Sequence, residues 1–336
     1  MLRIAFRFMM YDKSKTLGAT VGVIVAIFLI GQQTGIFLFL TGLMDSLVSN
    51  TQAKVWVVGD NVKDVNNLST IDIRRGNEIR SIKGVKNVNP LVIAGSTIKL
   101  RNGKTAPVQI IGSLAPDFIG GPWNIVEGDI AQLVHQGGIA ADMYDLGNLG
   151  EVQLGDELSL GGKLVELRAV TKGARGFGAN FIFTNIALAI ELGNFPVNEV
   201  SAFLINIEEG YTPEEIAREI NLKHSGIRAW TKRQFSWSTI MKILKDGGIG
   251  ESIGSLILFA IIAGGVIIGL TLYSAAKDRI DDYATMKAIG AYRKVITSLI
   301  LVQASIIAAV GFAIAAMLIQ GFKLGVSGSG VRFSFP

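Results

Sequence analysis

The chain has 336 residues, 49% of them hydrophobic and only 18% charged, below the roughly 25% charge of soluble domains. It has no cysteine and two histidines, His135 and His224, which excludes disulfides, iron–sulfur clusters, thiol catalysis and cysteine-bound zinc. Both histidines are expected at the surface, not in a metal site. The net charge of +5 is not read as nucleic-acid affinity, because the basic residues flank apolar runs where membrane orientation demands them.

Residues 1–15 interleave apolar Leu2, Ala5, Phe6, Met9 and Met10 with Arg3, Arg7 and Lys13. The spacing fits a short amphipathic helix at the cytoplasmic interface, and equally a plain charged flank. An uncharged run covers 17–44, and two more cover 253–276 and 295–322. Each reaches the roughly 20 apolar residues of a spanning helix. The first run is too long for a removed signal peptide and lacks a small-residue cleavage pattern after it, so it is expected to be a retained anchor. Arg3, Arg7, Lys13 and Lys15 outnumber Asp12 before the first run. Lys277, Arg279, Lys287, Arg293 and Lys294 outnumber Asp278, Asp281 and Asp282 between the second and third. Positive short segments stay in the cytoplasm, so the long middle segment is expected outside, in a periplasm or its equivalent.

That middle segment opens with a strand over 54–58 and a helix over 71–82 stopped by Gly84. Strands over 85–92 and 95–100 follow, and Asn102-Gly103 turns the latter into another over 106–111. From 115 to 196 the texture changes to glycine-rich turns and short strands at 152–154, 157–160 and 164–171, with Gly161-Gly162 turning the last two. A strand over 201–207 returns, then a helix whose start carries a hydroxyl cap, proline and acids in Thr212-Pro213-Glu214-Glu215, ended by Gly226, and a strand over 227–230. This order predicts a mixed α/β lobe split in sequence by an inserted β-rich lobe. A last helix, 235–246, carries Trp237, Ile240, Met241 and Leu244 on one side and is either a lever or an ordinary linker. The expected division is an amphipathic helix at 1–16, a span at 17–46, an external domain at 47–232 with its β-rich lobe at about 115–196, a stalk helix at 233–252, a span at 253–276, a cytoplasmic helix at 277–294, a span at 295–322 and an external tail at 323–336.

No catalytic pattern is present. G-x-x-x-x-G-K-[ST], H-E-x-x-H and EF-hand loops are absent, and no G-x-S-x-G stands at a strand-to-helix elbow. Gly173, Gly176 and Gly178 around Arg175 and Phe177 have the wrong spacing for a dinucleotide fingerprint, leaving a ligand loop or, better favoured, a bend. The polar residues singled out within the runs are Gln32, Gln33, Thr34, Thr271, Gln303 and Ser305, and none of the runs holds an Asp, Glu, Lys, Arg or His. That argues against a conducting pore or proton-driven pump, and amides there are expected in interhelical hydrogen bonds. Gly264, Gly265 and Gly269 suit close helix contact.

The sharpest signal lies between the last two runs. Residues 277–291 suffice for about three to four helical turns. Tyr283, Met286, Ile289 and Gly290 form a stripe fit for a partner's groove, flanked by Arg279, Asp282 and Lys287, and Gly290 ends the helix. By physics alone a solvated loop is an equal alternative.

Here the sequence resembles a family. Asp278-Arg279 through Asp282, with Lys287-Ala288-Ile289-Gly290-Ala291, resembles the cytoplasmic motif of the FtsX/MacB-type permeases of ABC transporters. Asp282-Tyr283-Ala284-Thr285-Met286-Lys287-Ala288-Ile289-Gly290 is most similar to the DevC-like subgroup. The stretches at 79–85 and 230–235 are also similar to that family. The resemblance implies an α/β membrane protein with four spanning helices and an external porter lobe plus β-rich lobe. It implies a homodimer, each copy on a separate ABC ATPase that binds the ATP-Mg, with no cofactor in this chain and no enzyme activity of its own. Arg279, Asp282, Tyr283, Met286, Lys287, Ala288, Ile289 and Gly290 would form the ATPase-coupling helix. A periplasmic adaptor and an outer-membrane channel would complete an exporter in the bacterial inner membrane. The alternative is a relay that activates a periplasmic cell-wall hydrolase, and an anchored external enzyme is disfavoured by the lack of any converging catalytic set. Two departures stand out. Gln303 falls where many relatives carry Glu, and three spans are seen where the family has four, so a truncated or split gene, with another polypeptide completing the bundle, is expected.

Overall fold

The computed structural model of the protein describes residues 2–11, 13–100, 103–277 and 279–326. In chain order its elements begin with α1 (Leu2–Tyr11), α2 (Lys13–Met44), α3 (Ser46–Asn50), β1 (Val55–Gly59), β2 (Ile71–Asp72), α4 (Arg75–Arg80), β3 (Val85–Lys99) and β4 (Thr105–Ser113). There follow β5 (Ile125–Gly128), a 3-10 turn (Ile130–Val134), β6 (Gly138–Asp142), β7 (Glu157–Leu160), β8 (Lys163–Thr171), β9 (Asn180–Asn185) and α5 (Ile186–Leu192). The last are β10 (Glu199–Val200), β11 (Ala202–Ile207), α6 (Pro213–Lys223), β12 (Ile227–Thr231), α7 (Lys232–Asp246), α8 (Ile249–Lys277), α9 (Ile280–Ala288) and α10 (Arg293–Val326). The chain forms two compact units, one from Leu40–Gly248 and the other from the residues on either side of it.

The Leu40–Gly248 unit is organised by one ten-stranded sheet. At one end β12, β1, β11 and β3 run antiparallel. Beyond them β3 continues into a closed ring, since β3 pairs β4, β4 pairs β9, β9 pairs β6, β6 pairs β8, β8 pairs β7, and β7 returns to β3. The ring is packed, not hollow. Ile98, Val108, Ile110, Ile139, Leu158, Leu160, Val165, Leu167 and Ile182 share one buried cluster, as the two-residue period of strands requires when one face is interior.

Helices cover both faces of the open end. Ile79 and Ile82 around α4, and Ile216, Ala217 and Ile220 of α6, join Val55, Val57, Phe203 and Ile205. On the opposite face Phe235 of α7 meets Trp56 and Trp230 at ring separations of 5.5 and 6.1 Å. Both α6 and α7 start with a reciprocal capping box, Thr212 with Glu215 and Thr231 with Gln234, which satisfies two otherwise orphaned N–H groups each.

Several expectations change in detail. The helix expected over 71–82 holds only Arg75–Arg80, because Ile71–Asp72 is spent pairing with β10. The strands expected at 85–92 and 95–100 are one strand, β3, and Gly95 sits within it opposite Gln109. No strand forms at 152–154. The inserted segment at 115–196 carries β5 to β9, whose strands extend the ladder that β3 and β4 begin. On α7 the packed residues are Phe235, Thr239 and Leu244, whereas Trp237 is 63% exposed. His224 is not a free surface group, its side chain being 15% exposed with Nδ1 3.3 Å from Glu78. Asn102 of the expected hairpin turn, Asp278, and residues 327–336 of the expected tail lie outside the described residues.

In the other unit three helices are long and apolar enough to cross a membrane, over Thr16–Met44, Ile249–Leu270 and Arg293–Val326. The N-terminal segment is a helix, α1, whose Ala5 and Met9 are buried while Phe6 and Met10 are exposed. It packs against α10.

Candidate functional site

The three long apolar helices meet through small residues. A Cβ built on Gly311 of α10 would stand 2.6 Å from Cγ1 of Val23, and one on Gly264 of α8 would stand 3.1 Å from Cβ of Ala26. Hydrogen at these positions is what lets the backbones approach, as expected for membrane helices that lack a hydrophobic drive to associate. Thr34 Oγ1 donates to the Ile30 carbonyl at 2.8 Å and Ser305 Oγ to that of Leu301 at 2.8 Å, so these hydroxyls are spent within their own helices. Gln303 departs from the expected interhelical bond, since its buried Nε2 has no acceptor among the described residues. The side chain of Thr271 lies outside the described residues. A groove of about 510 Å³ between α2 and α10 is lined by Ile27, Ile30, Gly31, Phe312, Ala316 and Ile319 with Thr34 and Gln320. Its wall offers no charge to an ion or polar solute.

α9 occupies the connection between α8 and α10. Its nine residues make about two and a half turns, one turn fewer than expected. Asp281 and Asp282 lie in its first turn and Lys287 in its last, both favourable to the helix dipole. The Tyr283 N–H donates to Arg279 O at 3.0 Å, which starts the helix. At the other end Gly290 takes φ +98, and the Ala291 N–H donates to Met286 O at 2.9 Å. This left-handed ending is one that glycine adopts without strain.

The candidate residues divide by exposure. Asp282, Lys287, Ala288 and Gly290 are exposed and Ile289 is 82% exposed. Tyr283 and Met286 are half-buried, and burial pushes the Tyr283 phenol above its ordinary range. Arg279 is drawn in, at 9% exposure, and so does not flank the stripe as a free charge. The connection therefore leaves Ile289, just past the helix end, exposed beside Lys287, with Arg279 buried immediately before the helix.

Two polar clusters of the Leu40–Gly248 unit escaped the sequence reading. Asp45 accepts from Ser49 and from Ser236, and Lys232 Nζ donates to Thr51 O at 2.7 Å, so the end of α2, α3 and α7 are tied together. Burial lowers the Lys232 ammonium, helped by Lys54. Near the ring, Asp142 accepts from the Ala174 N–H at 2.7 Å and Thr171 Oγ1 at 3.1 Å, and Arg175 Nε donates to Asp145 Oδ1 at 2.8 Å. Gly173 and Gly178 shape that bend with φ +84 and +75. The glycine cluster is thus a bend pinned by two aspartates, and the only signal for it in sequence was the glycine spacing. Among the described residues no three His, Asp or Glu side chains gather as a metal site would require.

No curated protein matches the chain. Among solved structures, the extracellular domain of YknZ, a noncanonic ABC-type transporter from Gram-positive bacteria, overlaps 53% of this chain and 99% of its own, at 14% identity and TM-score 0.40. The periplasmic region of MacB from Actinobacillus actinomycetemcomitans overlaps 57% of this chain and 97% of its own, at 8% identity and TM-score 0.43. Residues 254–336, which hold α9, α10 and most of α8, match the family model of the FtsX-like permease C-terminal region, and over that stretch the chain is similar to FtsX-like permeases.

Proposed function

We propose that the chain is the transmembrane permease subunit of an ABC exporter of the FtsX/MacB type, in the DevC-like subgroup. A separate ATPase binds and hydrolyses ATP beneath α9. A pair of permease copies passes the resulting motion along the spanning helices to external domains that work with an adaptor and an outer-membrane channel. The observation that carries this reading is the FtsX-like match over α8, α9 and α10, with a capped helix between two spans exposing Ile289 at 82%. The apolar groove and the absence of Asp, Glu, Lys, Arg and His inside the spanning runs support motion, not conduction, as the output.

The test is co-purification of an ATPase with the chain. Arg279→Glu combined with Gly290→Pro should abolish it. Ile289→Glu, at an exposed position where the fold is indifferent, should weaken it at least several-fold. Undiminished capture by the Ile289→Glu protein counts decisively against α9 as the docking element. A second reading, a relay that switches on an external cell-wall hydrolase, draws on the same absence of a polar pathway. It is separated by whether the ATP-dependent partner outside the membrane is an adaptor or a hydrolase.

A further inference from the structure

We propose that Asn221 seals the open edge of the sheet at β12 and so keeps two copies of this chain from joining there. β12 is a terminal strand of the ten-stranded sheet, and its strand neighbour is β1. Along an antiparallel strand, successive residues turn their backbone groups to alternate sides. Ala229 turns both of its groups away from β1. Its N–H donates to Asn221 Oδ1 at 2.7 Å, and Asn221 Nδ2 donates to its carbonyl at 2.9 Å. A residue of a neighbouring antiparallel strand would supply that same reciprocal pair. A side-chain amide can stand in for it, because it carries an acceptor and a donor as a peptide group does. Two residues on, the Thr231 N–H donates to Gln234 Oε1 at 3.3 Å, so a second amide closes the next outward position.

The amide is not what seats its own helix. Asn221 sits in the last turn of α6, where asparagine is a weaker helix former than alanine. The packing of α6 rests on Ile216, Ala217 and Ile220. The Asn221 side chain instead reaches a strand residue eight positions on. The edge also has room beside it. A groove of about 290 Å³ there is lined by Glu214, Arg218, Leu222 and Gln234 together with Asn221 and Ala229.

A second copy is the occupant this edge fits. Unpaired strand edges recruit further strands. Two β12 strands set antiparallel about Ala229 make a two-fold pair, the closed arrangement for identical chains. Ala229 then exchanges its two hydrogen bonds with Ala229 of the second copy, and Arg228 stands opposite Trp230, so no like charges face each other across the pair. Within one chain the Arg228 guanidinium already lies 4.1 Å from the Trp230 ring centre, and the same cation–π attraction is available across the pair. Asn221 occupies the two bonds on which that pairing centres. The proposal does not rest on the ATPase reading.

Because the chain has no cysteine, one introduced thiol gives one reporter. Arg228→Cys, at an exposed position of β12, would carry a nitroxide on the full chain in detergent, with and without Asn221→Ala. With Asn221 in place the spectrum should show no spin–spin broadening. With Asn221→Ala it should broaden, and the broadening should disappear on dilution with unlabelled Asn221→Ala chain. A spectrum that stays sharp in the folded Asn221→Ala protein overturns the proposal, and so does broadening that is already present with Asn221 intact. Should the Asn221→Ala protein misfold, hydrogen exchange on the unaltered chain serves. The Ala229 N–H should exchange at least tenfold more slowly than the Ser225 N–H in the turn before β12, and equal rates reject the seal.

Discussion

Asp145 shows how one side chain can set a pH response. It is 1% exposed, and burial raises its carboxyl above the ordinary value of 3.8, with Arg175 pulling down and Asp142 pushing up. The native carboxyl thus holds its proton more tightly than the unfolded one. The native state binds more protons between the ordinary and the raised value, so stability falls as pH rises through that window and recovers as pH drops. Melting of the full chain in detergent should show this slope, and Asp145→Asn should flatten it. Parallel curves for the two proteins would remove Asp145 from the account. A second residue-level expectation concerns Thr212, whose capping box is complete. Thr212→Ala should cost about 1 kcal/mol, read as a lower unfolding midpoint in denaturant. Gly128 adds a backbone case, since at φ +78 a Cβ would stand 2.1 Å from Arg168 O.

At the scale of elements, what could be foreseen followed from local chemistry. The three apolar helices, the Thr212 helix start and the Gly161-Gly162 turn are stated by adjacent residues, and each stands where it was expected. What escaped depends on distant partners. Ile71 looks helical until Val200 claims it as a strand neighbour. Gly95 looks like a break until Gln109 pairs with it. The eight candidate residues between α8 and α10 are visible as a motif, but the burial of Arg279 is not written in its neighbours. Helix contact in the spanning unit yields a direct prediction. Gly311→Val places carbon where Val23 already stands, and such overpacking costs about 1–3 kcal/mol. The variant should melt earlier in detergent, whereas Gly325→Val, with nothing within 4 Å of its Cβ, should not. Equal loss in both would mean that α2 and α10 do not approach at Gly311.

Across the whole molecule, orientation is the property on which the functional proposal turns. The positive segments predict α9 inside and the Leu40–Gly248 unit outside. Single thiols at Leu222 and at Ile289, 77% and 82% exposed, decide the matter in intact cells. A membrane-impermeant maleimide should label the first and spare the second, and the opposite pattern would place the large unit in the cytosol and end the exporter reading.

The strand β3 serves both the open end of the sheet and the closed ring, pairing β11 through Leu91 and β4 from Leu91 onward. Those fifteen residues form one uninterrupted strand. The open end and the ring are therefore joined by a continuous hydrogen-bonded ladder and not by a loop, so a displacement of one is carried into the other through the backbone they share.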